Sequence, residues 1–196
     1  MQRYSYKIVL FCYKKNCNNL FCGTFHYSPI FPIFHLFPLT FLLTAMKEYF
    51  EKLYRYDNWA NERIADFLLF NEIDDETLKL FSHLLNAKFI WASRITRTSL
   101  GPNIWDIYLP QQLQQQVRDS SLMFEGIIKK LTLENEFAAP ISYVTTEGKA
   151  YTTLLSDILG HIVNHSSYHR GQIAKLIRLK GFAPVNTDYI TFCRQG

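Results

Sequence analysis

The sequence predicts an all-α protein, a four-helix bundle, on three observations. Between Met46 and Gly181, apolar residues recur at spacings of three and four along four long stretches, the pattern of helices that bury one face. The stretches are divided by segments rich in charge or in turn-forming residues. The chain, at 196 residues, is long enough for one domain with a substantial core. Four long amphipathic helices imply a bundle.

The first helix spans residues 46–70, where Phe50, Leu53, Asp57, Ala60, Ile64, Phe67 and Leu68 share one face. "NEIDDET" breaks that pattern with charge and offers an Asp to cap the next helix. The second stripe comprises Leu80, His83, Leu84, Ala87, Ile90, Trp91 and Ile95. "TSLGPNIWDIYLP" contains Gly101, Pro102 and Pro110 and reads as a long connection with room to cross the bundle. The third helix runs from about Gln111 to Leu133, with Leu113, Val117, Met123 or Phe124, Ile127, Ile128 and Leu131 inward. "APISYVTTEGKAYTTL" has β-branched and aromatic residues on either side of Glu147-Gly148, which suggests a short hairpin. The last helix begins near Thr152 or Thr153 and stops near Gly181, with Leu155, Ile158, Leu159, Ile162, His165, His169, Gln172, Ile173 and Leu176 on one face.

Residues 1–45 have a different texture. They contain no acidic residue, three of the four cysteines (Cys12, Cys17, Cys22) and seven of the sixteen phenylalanines. Four basic residues precede Met46, so the remaining 17 balance the 17 acidic residues and the domain proper is neutral. The net charge of +4 therefore arises in the leader, and no basic stripe with interleaved aromatics follows it; nucleic-acid binding is not expected. A secretory signal lacks its cleavage site, and a membrane anchor over Tyr27 to Ala45 would carry three prolines and His35. The reading favoured over a targeting segment is a non-native or disordered extension, with the domain occupying residues 46–196. The expected protein is cytoplasmic and does not engage a membrane. Cys193 is the one cysteine of the domain, in keeping with a reducing compartment.

"HIVNHSSYHRGQ" spaces His161, His165 and His169 four residues apart. Side chains at i and i+4 lie one above the other, so either the 161/165 pair or the 165/169 pair could grip one ion. All three could not, since eight residues at about 1.5 Å each put the outer two roughly 12 Å apart. The third ligand must come from another helix. Only His83 remains in the domain, on the apolar stripe of the second helix and level with His169 if the two helices are antiparallel. A single inward histidine is usually a hydrogen-bonded core residue, but two in a pair with a third opposite are costly to bury without a shared partner, which a divalent cation provides.

"HIVNHSSYHRGQIAKLIRLKG", "SHLLNAKFIW" and "YRYDNWANERI" together resemble the DinB (damage-inducible) family over roughly Met46 to Phe192, most specifically in the H-x-x-x-H-R-G-Q signature. The resemblance implies a four-helix bundle of up-down-down-up order. It also implies a divalent metal site, zinc, nickel or similar, on His83, His165 and His169, thereby selecting the 165/169 pair. Family members include thiol-dependent transferases and isomerases as well as proteins without a known reaction, and a homodimer is compatible with it. Three neutral ligands leave the ion an open position for water or a thiolate. The expected function is a metal-dependent thiol S-transferase or hydrolase acting on a small molecule; the alternative is a non-catalytic metal-binding stress-response protein, and a third reading is a metal-free bundle with structural histidines. No catalytic residue is fixed by the sequence. Asp57 is the best candidate for a general base, against an equal expectation that it pairs with a ligand histidine or with Arg170.

Overall fold

The computed structural model describes residues 39–98 and 101–195. Six helices and one hairpin lie among them, in the order α1 (Leu39–Phe70), α2 (Asp75–Thr96), α3 (Pro110–Lys130), α4 (Glu134–Phe137), β1 (Pro140–Val144), β2 (Ala150–Leu154), α5 (Leu155–Leu179) and α6 (Tyr189–Cys193). The protein is mostly helical, and no described helix is long and apolar enough to cross a membrane. Residues 1–38, with the cysteines of the leader, lie outside the described residues.

Local chemistry explains the element ends. Asp74 caps α2 by accepting a hydrogen bond from the Thr77 backbone N–H at 2.9 Å, which satisfies one of the free donors of the first turn. α1 starts at Leu39 rather than at Met46, because the run Leu39 to Ala45 contains no helix breaker. α3 ends at Lys130, short of the expected Leu133. α5 starts at Leu155 rather than Thr152 or Thr153, because Tyr151 to Leu154 pair with Pro140 to Tyr143 in the antiparallel hairpin. The hairpin turn closes through Gly148, whose φ of 80° favours glycine. Gly181, at φ 85°, ends the α5 segment as expected.

α1 packs mainly on α3, and α2 mainly on α5, with further contacts between α2 and α3 and between α1 and α5. The core falls into two apolar clusters. One gathers Phe50 and Tyr54 of α1, Phe124 and Ile128 of α3, and Ile158 and Leu159 of α5. The other gathers Ile64 and Leu68 of α1, Phe81 and Leu84 of α2, Leu113 of α3 and Ile173 of α5. Each such side chain, when removed from water, contributes about 1.5–3 kcal/mol.

Buried polar residues lie in sequence at or near the junction between the contributions that a helix makes to the two clusters: Asp57 and Asn61 on α1, Asn86 and Lys88 on α2, Ser120 and Ser121 on α3, and Ser166 and Arg170 on α5. This layer altered the face that α2 buries. Of the expected stripe, Leu84 and Ala87 are buried, but Leu80, His83, Ile90, Trp91 and Ile95 are only half-buried, and Phe81, Leu85, Lys88 and Ala92 complete the deep face. Ser82, Asn86 and Lys88 disguise that face, since a buried polar group reads as solvent-facing in a hydropathy pattern.

α6 had no counterpart in the apolar pattern. It is held against α1 by aromatic contacts, with Tyr189 5.0 Å from Tyr56 and Phe192 5.7 Å from Trp59 between ring centroids.

Candidate functional site

His83 projects from α2, and His165 and His169 project one turn apart from α5. Direct packing of α2 on α5 brings the three imidazoles together, and a ligating nitrogen from each lies within 4.8 Å of the others. His165 Nε2 and His169 Nε2 are 3.1 Å apart. Three nitrogens bound tetrahedrally to one ion at about 2.0–2.1 Å would be roughly 3.4 Å apart. The cluster therefore needs only a small closing movement of side chains to meet that geometry.

The surroundings hold the rings in place. His169 Nδ1 lies 2.7 Å from Gln172 Oε1, an arrangement in which Nδ1–H donates and leaves Nε2 as the free lone pair. His83 stacks on Trp105, with centroids 4.2 Å apart and planes 23° from parallel. Its Nδ1 is buried and lacks a well-aligned hydrogen-bond partner, and the polar group that acts on the ring is the backbone of Ile104.

Trp105 sits in the connection from α2 to α3, and α2 itself pins that connection. The Asn86 amide donates to the carbonyl of Asp106 at 2.8 Å, and Ser82 Oγ accepts from the Tyr108 backbone N–H at 3.0 Å.

The electrostatics favour neutral imidazoles. Burial, reinforced by His169, lowers the pKa of His83, although the backbone of Ile104 pulls the other way. Burial and the neighbouring His169, His83 and His161 lower His165 to about 4. Burial also lowers His161. Around neutral pH these groups are deprotonated, the form that ligates a metal.

His161 is exposed and stands outside the cluster. Its ring lies 5.6 Å from His165 and 5.4 Å from Trp91. Of the two pairs that spacing allowed, the one joined to His83 is 165/169.

Asp57 is fully buried and is committed to cations. It receives Lys88 Nζ at 2.7 Å and an Arg170 guanidinium nitrogen at 2.5 Å, and Asn61 donates to it at 3.2 Å. Burial alone pushes its carboxyl pKa up, but Lys88 and Arg170 outweigh this and hold it below the usual range. A base must be free to accept a proton from a substrate. Asp57 is instead the partner of Arg170, the residue that follows His169, and it ties the three helices that carry the network. Lys88 was missed because a lone lysine on a helix reads as a solvated face. Trp105 was missed because it lies in an irregular connection where periodicity gives no signal.

Comparison with known proteins gives the family. "Protein DinB" of Bacillus subtilis (strain 168) is 26% identical over 160 residues, which cover 74% of this chain and 93% of that protein. The DinB family model matches residues 44–195, which carry the hairpin, the histidine cluster and all but the first residues of α1, and the chain belongs to the DinB family.

Proposed function

We propose that the protein is a metal-dependent enzyme that holds a divalent ion, zinc, nickel or similar, on His83, His165 and His169 and acts on a small molecule as a thiol S-transferase or hydrolase. The observation that carries this reading is the convergence of three ligating nitrogens within 4.8 Å from two separate helices. The Gln172 contact to His169 supports it. A helical order of up-down-down-up accompanies it. In support, α1 and α5 contribute first to the Phe50 cluster and then to the Ile64 cluster, whereas α2 and α3 contribute in the reverse sense.

A divalent ion bound by three neutral imidazoles would retain its full charge and an open position, supplying Lewis acidity that ionises a bound water or thiol near neutral pH. The protein's own groups prepare for that. Gln172 fixes the tautomer and orientation of His169. Trp105 covers one face of His83 and limits water access there. The low proton affinity of His165 keeps its lone pair available. Asp57, Lys88 and Arg170 fix the register of α1, α2 and α5 beneath the cluster.

Substrate is a small molecule in this reading, with a low-molecular-weight thiol as co-substrate, and a cytoplasmic homodimer is the proposed state. Elemental analysis of the purified protein, followed by thiol titration of a cobalt-substituted form, tests the reading. About one metal per chain and a new sulfur-to-metal charge-transfer band support a transferase. Bound metal without any band for glutathione, cysteine or bacillithiol rules out the transferase branch, and a metal-free protein that takes up no added zinc, nickel or cobalt sinks the reading altogether.

A further inference from the structure

A cavity of about 660 Å³ lies between the C-terminal half of α2, residues 101–104, and residues 142–146 of β1 and its turn. This volume suits a small organic ligand. Ile90, Ile104 and Tyr143 supply apolar wall, while Arg94 and Arg97 supply the charge, and no acidic residue lines it among the described residues. Neither arginine is in an ion pair with any described residue. Arg94 lies over the rings of Trp91 and Tyr143, at 4.6 and 5.1 Å from their centroids, and donates one hydrogen bond to the Val144 carbonyl at 3.4 Å.

Two backbone features belong to this cavity. Arg97 ends α2 in the left-handed region at φ 54°, where glycine is the favoured residue. A bulky cation is thus kept at the cavity in a conformation unfavourable to it. Gly101 allows the opposite wall to approach α2, since a β-carbon there would come within 3.2 Å of the Ile90 backbone.

The cavity also adjoins the histidines. Ile90 follows His83 by seven residues on the same helix face, about 10 Å along the axis. Ile104 lines the cavity, and its backbone acts on His83. Trp91 packs on Tyr143 at 4.9 Å and on His161 at 5.4 Å, and His161 packs on His165.

We propose that this cavity binds the anionic end of an organic acid substrate, with its carboxylate between Arg94 and Arg97, its apolar body against Ile104 and Tyr143, and its reactive end toward the histidine cluster. The last element rests on the metal reading of that cluster; the anion site does not. Charge-assisted hydrogen bonds from guanidinium to carboxylate give such a site both affinity and orientation.

Calorimetric titration of the metal-free, full-length chain with 2-naphthoate and with neutral 2-naphthamide tests the anion site. One-to-one binding of naphthoate is expected, at least tenfold weaker for naphthamide and for Arg97→Gly. That variant removes the charge while relieving the backbone, so loss of binding is not attributable to misfolding. Equal affinity of the two probes, or unchanged naphthoate affinity in both Arg97→Gly and Arg94→Gln, overturns the site.

The cobalt-loaded protein tests the link to the histidines. Naphthoate protons should show paramagnetic shifts suited to roughly 10 Å from the ion, and the shifts should be absent in His169→Ala. Arginine-dependent binding without shifts, on protein shown to hold cobalt, overturns the link. Failure to take up cobalt instead overturns the metal reading, and the calorimetric result then stands by itself.

Discussion

Replacing Asp57 by Asn should be the most damaging single change to the interior. The carboxylate is fully buried, with Lys88 at 2.7 Å and Arg170 at 2.5 Å, both cations being only 2% exposed. Asparagine keeps the shape and removes the negative charge, leaving two buried cations uncompensated. Lys88 can escape by releasing its proton, but a guanidinium cannot. Breaking a buried pair in this way costs about 3–5 kcal/mol, a large part of the roughly 5–15 kcal/mol that holds a domain together. At roughly 2–4 °C per kcal/mol for a chain of this size, the midpoint of thermal unfolding should fall by about 6–20 °C.

Lys88→Met provides the comparison. It retains the aliphatic stem and leaves Asp57 paired with Arg170, so its cost should be no more than about 1–2 kcal/mol. Urea denaturation of the metal-free protein at pH 7 measures both. A cost for Asp57→Asn below about 1 kcal/mol, or an equal cost for the two variants, would refute the charge argument. The sign with pH follows from the depressed carboxyl pKa: the stabilisation is present above the unfolded value of about 3.9 and is lost as pH falls through and below it.

Other expectations concern the cluster and the chain boundary. His83→Ala and His169→Ala should each remove most bound metal by elemental analysis, whereas His161→Ala should leave it largely in place; the reverse pattern would move the site to the 161/165 pair. Gln172→Ala should weaken metal affinity by roughly 10–100-fold in a chelator competition, because His169 loses its orienting partner, and an unchanged affinity would leave that contact without a role. His165 has a depressed pKa, so the metal-free protein should lose stability as pH falls from about 6.5, where the unfolded imidazole takes up a proton, to about 4. A thermal midpoint flat across that window would contradict the burial of His165. A chain beginning at Met46 should still unfold cooperatively, since among the described residues the apolar clusters start at Phe50 with Met46 packed against them; loss of the cooperative transition would place the preceding residues within the folding unit.

The parts of the fold that were legible are those where one physical signal dominates. Apolar spacing located α1, α2, α3 and α5, and Glu147-Gly148 located the hairpin turn, because these features depend on local sequence. Scarcity of histidine and helical spacing drew His83 together with either pair on the last helix, and the resemblance to the DinB family selected 165/169. The deep face of α2 was legible only at Leu84 and Ala87. Lys88 is buried only because Asp57 lies 2.7 Å away on another helix, and a tertiary ion pair leaves no mark in the hydropathy of either segment. Trp105 was hidden for a related reason, since its place over His83 depends on side chains of α2 that hold the connection. Helix ends moved where neighbours competed for the same residues, as β2 did for Thr152 and Thr153.

The three clustered histidines stand on two long helices, whereas Trp105, Ile104 and Tyr143 stand on a connection and a hairpin that carry none of them. The helices are locked from within by a charge network, and the irregular segments are fastened from outside by a few side-chain hydrogen bonds. Lengthening or rewriting the connection or the hairpin therefore leaves the helix positions that carry the imidazoles where they are. Descent with modification can alter what the protein recognises without disturbing what it would use to react, and an engineer could graft new walls onto an unchanged set of histidines.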